Sequence, residues 1–207
     1  MPSSTVLRSV ILASASPRRL ELLRSLGLEV EVRPSGYHEP DDPTATPLEL
    51  AIAHARNKAL HILRQAQDDS ALLVAADTVV DLDGTALNKP VDAADAARML
   101  RSLSGREHQV HTAFALRVPG IDAVVEEHAT TRVRFYALSD AEIADYVATG
   151  EPMDKAGAYG IQGRAAALVE SIAGDFYTVM GFPLARFVRT VRALGFSLPI
   201  AKESPIR

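Results

Sequence analysis

The 207-residue chain contains no cysteine, so it can form no disulfide and offers no thiolate to a metal. That composition fits a reducing compartment. It has no run of about 18 apolar residues, and Met1 to Ser9 lack the apolar stretch of a signal peptide, so a soluble protein without a membrane partner is expected. Positive charge is not in excess: 22 Lys and Arg against 26 Asp and Glu leave a net charge of -4. A nucleic-acid partner is therefore not expected, and any site for a polyanion must be local. Glycine-rich loops of the Walker or dinucleotide type are missing, as are His-Glu-x-x-His, internal repeats and low-complexity linkers.

What remains is 47% hydrophobic, enough to bury the core of one domain, or of one domain with two lobes. Helical and strand patterns alternate along it, which predicts α/β architecture. Val30 to Arg33 reads as a short strand. Thr46-Pro47-Leu48-Glu49 is a capping box opening a helix to about Ala66. Ala71 to Ala76 is an apolar run read as a buried strand that ends at Asp77, and Asp83-Gly84 marks a hairpin. Asp92 caps a helix through Leu103, closed by Gly105. Gln109 to Val118 and Ala123 to Phe135 pair around Pro119-Gly120. Ser139-Asp140-Ala141-Glu142 caps a helix that stops before Gly150, and Pro183 begins the last helix, ending at Gly195. Ser197 to Arg207 is expected to be a loose tail.

The most informative segment runs from Val10 to Leu23. An apolar strand leads into Ser14 and Ser16, then into Pro17, Arg18 and Arg19 at a helix start. Ser16 suits the N-cap and Pro17 the first helical position, with the helix reaching Leu26 before Gly27. Free backbone N–H groups and the positive end of the helix dipole favour an anion there, and two guanidinium groups add bidentate contacts to phosphate. A solvated basic first turn is the plainer alternative.

Asp77, after a buried strand, is the candidate general base and can help hold a divalent metal; a carboxylate bonded to its own turn is the alternative. Lys58, mid-helix, and Lys89, directed by Pro90, are candidate phosphate clamps or else solvated lysines. Glu39 lies in an acidic loop that can bring an oxygen ligand to magnesium. His108 and His111 are three apart on a strand and point to opposite faces, so they do not share a zinc ion; His54 and His61, flanking Lys58, are expected to face solvent. Asp154 to Gly163, with Lys155, Tyr159 and Gln162, suits a loop closing over a ligand, or a plain surface loop.

The segment Leu12 to Arg19 resembles the opening signature of the Maf family of nucleoside triphosphate pyrophosphatases. The resemblance continues through Ala76 to Val80, Leu87 to Pro90, Leu103 to His108, Gly150 to Gly163 and Gly181 to Leu184, spanning roughly residues 10 to 194. It implies a mixed twisted sheet flanked by helices, in two lobes about a central cleft, as one domain over residues 1–207. It also implies that Asp77 accepts the proton of the attacking water. Glu39 with Asp77 would hold Mg2+ or Mn2+, and Ser14, Ser16, Arg18, Arg19, Lys58 and Lys89 would bind the triphosphate. The family often has Asp before this Glu, where this chain has His38. The form of the 155–163 loop resembles the branch that hydrolyses dTTP and UTP, with Arg18, Thr78 and Gln162 at the specificity positions. There Gln162 and Thr78 would read the base, since a carboxamide both donates and accepts. A cytoplasmic homodimer is implied as well. The alternatives are a pyrophosphatase for 7-methyl-GTP or other modified nucleotides, and a nucleotide-binding regulator of septum formation.

Overall fold

A computed structural model describes residues 5–40, 42–65, 71–121 and 123–199. In chain order the elements are β1 (Thr5–Val6), β2 (Ser9–Leu12), α1 (Pro17–Ser25), β3 (Glu29–Val32), α2 (Pro47–Leu63), β4 (Leu72–Leu82), β5 (Thr85–Leu87), α3 (Ala93–Leu103), β6 (Glu107–Arg117) and β7 (Val124–Phe135). They continue with α4 (Asp140–Ala148), β8 (Val169–Ala173), α5 (Phe176–Met180), α6 (Leu184–Ala193) and β9 (Phe196–Ser197). The main sheet has the order β3-β2-β4-β6-β7-β8, with β5 added to β4. β2 runs parallel to β3 and β4, and the other pairings in this sheet are antiparallel. This is the mixed, helix-flanked α/β sheet expected. No described helix is long and apolar enough to cross a membrane.

Local signals place the helices. Ser16 accepts from the Arg19 amide at the head of α1, Thr46 and Ser139 form complete capping boxes, and Asp92 caps α3. Asp83 and Gly84 both take the left-handed conformation, φ 53° and 83°, that a two-residue hairpin requires. Alternation along β4 and β6 then divides the core. Leu72, Val74, Ala76, Phe114 and Leu116 face the cluster containing Leu22, Phe182, Phe187 and Val191. Leu73, Ala75, Ala113 and Ala115 face Ala51, Ala55, Ala59 and Ile62 of α2, small residues on both sides that let helix and sheet approach closely. At the far end of the long strands, Val80, Val110 and Phe135 pack with α3 and α4 in a separate cluster. Helices thus cover both faces of the sheet toward one end, α1 and α6 on one face and α2 on the other, while α3 and α4 pack toward the opposite end.

Four expectations need correction. β4 does not end at Asp77; β6 pairs with it from Leu73 to Asp81, so the strand continues through the polar residues. α2 ends at Leu63, and Ala66 lies outside the described residues. Pro183 precedes α6 and is not its first residue. Ser197 is not loose: β9 pairs with β1, and Leu198 is buried, whereas 200–207 lie outside the described residues. Three short 3₁₀ turns over 151–167, together with β8 and α5, carried no periodicity in the sequence.

Candidate active site

β4 has an interrupted edge. β2 pairs with it only from Leu72 to Val74, and after a last bond from the Ala13 amide to the Val74 carbonyl (2.8 Å) the chain turns into α1. β5 takes up the same edge at Val80. Among the described residues, none pairs as a strand with 75–79 on that side, and a cleft of about 900 Å³ opens there. Its walls include Ser14, Ser16, Arg18, Arg19, Glu39, Lys58, Asp77, Thr78, Lys89 and Gln162. Every site residue expected from the sequence therefore meets in one place.

Asp77 and Thr78 point to opposite faces of β4 and so serve two clusters. On the α2 face, Lys58 places Nζ 2.6 Å from Asp77 Oδ1 and 2.6 Å from Glu39 Oε1. Burial alone would raise the Glu39 carboxyl, but the hydrogen bond and charge of Lys58, helped by His54 and Lys89, hold it below the ordinary carboxylate value. Lys58 thus gathers the two carboxylates. On the other face, Arg19 donates from Nε to the Gly181 carbonyl (2.9 Å), from Nη1 to Ser14 Oγ (3.1 Å) and from Nη2 to Thr78 Oγ1 (3.0 Å). Burial lowers its pKa, while Asp77 opposes that shift. Three of its five N–H donors are taken, leaving two for an anion. Ser14 Oγ also accepts from the Ser16 amide (3.2 Å), so its own proton is free to be donated.

Thr78 was expected to read a base. Its hydroxyl engages Arg19 and Thr112 Oγ1 (2.9 Å), and the residue lines the cleft. Arg18 lies 3.9 Å from Asp154, which also holds Lys155 Nζ at 2.5 Å. Burial would raise the Asp154 carboxyl, and Lys155 and Arg18 together lower it. Lys89 and Gln162 are exposed on the rim, and Gln162 has no hydrogen-bond partner among the described residues.

Residues 9–194 match the family described as Maf-like protein. The dTTP/UTP pyrophosphatase of Thermus thermophilus is 49% identical over 187 residues, covering 90% of this chain and 95% of its own. Those of Koribacter versatilis (48% over 188 residues) and Geobacter metallireducens (45% over 186 residues) each cover 90% of this chain, and 94% and 96% of their own. This chain belongs to the Maf family. Among solved structures, the Ham1 protein of Staphylococcus aureus aligns with a TM-score of 0.42 at 14% identity, over 62% of this chain and 72% of that one.

For a Maf site, the donor set suits a hard cation. Two carboxylates converge on one ammonium and keep spare lone pairs, and magnesium is commonly held by one or two carboxylates with phosphate and water completing its shell. His38 contributes no third carboxylate. The sequence reading missed His54, expected in solvent. It is 8% exposed, lines the cleft and lies with its ring 6.0 Å from that of Tyr37, because the 34–40 loop folds over this turn of α2. His54 and Lys58 are one helical turn apart, the signal that could have placed both on one face. Glu151 was missed too. Its carboxylate accepts from Tyr146 Oη (3.0 Å) and the Arg164 amide (3.2 Å), framing the loop that carries Gln162. His108 and His111 do face apart: one contacts Tyr159 Oη at 2.8 Å, and the other reaches Asp81 and Thr130.

Proposed function

We propose that this chain is a nucleoside triphosphate pyrophosphatase acting on dTTP and UTP, releasing the monophosphate and pyrophosphate. The observation that carries the proposal is the single cleft in which a lysine-gathered carboxylate pair and an arginine-bearing helix start face the same free strand edge. The curated relatives of that name supply the substrate class.

In this reading Asp77 takes a proton from water as the water oxygen bonds to the α-phosphorus. The bond from that phosphorus to the bridging oxygen breaks, and pyrophosphate leaves with the electron pair. Lys58 orients Asp77 through its 2.6 Å contact. Arg18, Arg19 and Lys89, with the N–H groups at the head of α1 and the Ser14 hydroxyl, neutralise the triphosphate oxygens and the leaving group. Glu39 and Asp77 would hold a Mg2+ or Mn2+ ion, which when bound adds charge neutralisation on the phosphate oxygens. Gln162, without a hydrogen-bond partner among the described residues, presents an acceptor and two donors to the O4 and N3–H edge of thymine or uracil. Family membership supports a homodimer, and the absence of cysteine is consistent with the cytoplasm.

The test is pyrophosphate release from a panel of ordinary and modified nucleotides, 7-methyl-GTP included, with and without Mg2+ or Mn2+. Preferential hydrolysis of dTTP and UTP is expected. A preference for 7-methyl-GTP would transfer the chain to the modified-nucleotide reading, and binding of nucleotide without turnover would favour a regulator.

A further inference from the structure

The hydrogen bonds around Arg19 close into a ring. Arg19 Nη2 donates to Thr78 Oγ1 (3.0 Å), which lies 2.9 Å from Thr112 Oγ1. Thr112 Oγ1 donates to the Thr178 carbonyl (2.7 Å), which also accepts from the Gly181 amide (3.1 Å). The Gly181 carbonyl then accepts from Arg19 Nε (2.9 Å) and closes the circuit. The two ends dictate its direction. A guanidinium can only donate and a carbonyl can only accept, so the Thr78 proton must point to Thr112 and the Thr112 proton to Thr178. Thr112 and Thr178 are fully buried, out of reach of competing water. Thr178 is itself held, since its amide and hydroxyl both donate to Asp175 Oδ2 at 2.8 Å.

We propose that Thr112 is a positioning residue for the reaction: acting through Thr78, it locks the Arg19 guanidinium in the plane that aims its two remaining N–H groups at the triphosphate. Thr112 is on β6, away from the cleft wall, and touches no substrate. The ring joins strand, α1 and the α5–Gly181 corner, so the orientation of Arg19 is set by three elements and not by its own rotamer. Losing one bond leaves a long side chain free to turn, and catalysis depends on angles of that order. The consequence for turnover rests on the pyrophosphatase reading; the clamp itself does not.

The experiment uses Thr112→Val, which keeps shape and removes both ring bonds, with Thr112→Ser as the rescue and Thr78→Val as an independent break. Nuclear magnetic resonance follows solvent exchange of the Arg19 Nε–H, assigned by its loss in Arg19→Lys. Slow exchange is expected in the parent and Thr112→Ser proteins, and fast exchange in both valine variants. In turnover, Thr112→Val should lower kcat/KM for dTTP about tenfold, the scale of one buried hydrogen bond, and should add nothing further to Arg19→Lys because both act on one group. Unchanged exchange in both valine variants would overturn the clamp. So would a Thr112→Val loss that multiplies in full on top of Arg19→Lys, the mark of general destabilisation. A parent with the expected exchange pattern but no nucleotide hydrolysis would support the clamp while removing the pyrophosphatase reading.

Discussion

Replacing Asp77 by Asn keeps size and part of the hydrogen bonding but removes the charge that accepts a proton. The structural cost can be bounded. Asp77 and Lys58 side chains are 9% and 11% exposed, and stripping a buried charge of its only partner costs about 3–5 kcal/mol. Lys58 keeps Glu39 at 2.6 Å, so the loss should be smaller, about 1–2 kcal/mol. For a chain of this length that lowers Tm by roughly 2–8 °C and leaves the protein folded at room temperature. Turnover should fall further, by about 10²-fold or more, the range for loss of a general base. Asp81→Asn is the control. Asp81 lies four residues along the same face of β4, buried and 3.2 Å from His111, and does not line the cleft. It should cost stability without a comparable loss of kcat. Steady-state pyrophosphate release and thermal unfolding of both variants check this. If Asp77→Asn turned over like the parent, or Asp81→Asn lost as much rate at equal Tm, Asp77 would not be the base.

Gln162→Glu removes the NH₂ donor and faces a carboxylate toward pyrimidine O4. This should cost dTTP and UTP about 1–3 kcal/mol in kcat/KM and favour bases with an exocyclic amino group; an unchanged ranking across dTTP, UTP, CTP and 7-methyl-GTP would refute it. Burial lowers His108 to about 4, below its ordinary value of 6.5. The unfolded chain then takes up a proton that the folded chain refuses, so this contribution to stability is complete above pH 6.5 and is lost as pH falls toward 4, about 3 kcal/mol at most. His108→Phe keeps ring contacts with Phe135 and Tyr159, so its Tm should vary less with pH over that window; curves parallel to the parent's would contradict this. Gly157 has φ 66°, and a Cβ there would meet Val80 Cγ1 at 2.9 Å. Gly157→Ala should destabilise by about 2–4 kcal/mol, lowering Tm by roughly 5–15 °C, and an unaltered melting curve would show that the loop shifts freely.

Much of the molecule was legible before folding because its determinants are local. Caps such as Ser16, Thr46, Asp92 and Ser139 act over three residues, and the Asp83-Gly84 turn over two. The helix start at Ser14 to Arg19 was recognisable for the same reason: serine and proline at fixed offsets are enough to define it. The sequence also marked every residue that was expected in the cleft and lines it. It could not say what each one touches. Asp77 looked like a strand end because hydropathy falls there, whereas the β6 ladder carries the strand on to Asp81 and the cleft forms where β2 departs. His54 looked solvated because a helical face is buried only if some distant loop covers it. The Lys58–Asp77 contact spans 19 residues, Thr78–Thr112 spans 34 and Arg19–Gly181 spans 162. Such contacts depend on strand register, which places every second side chain on one face and brings together residues that no sequence spacing relates.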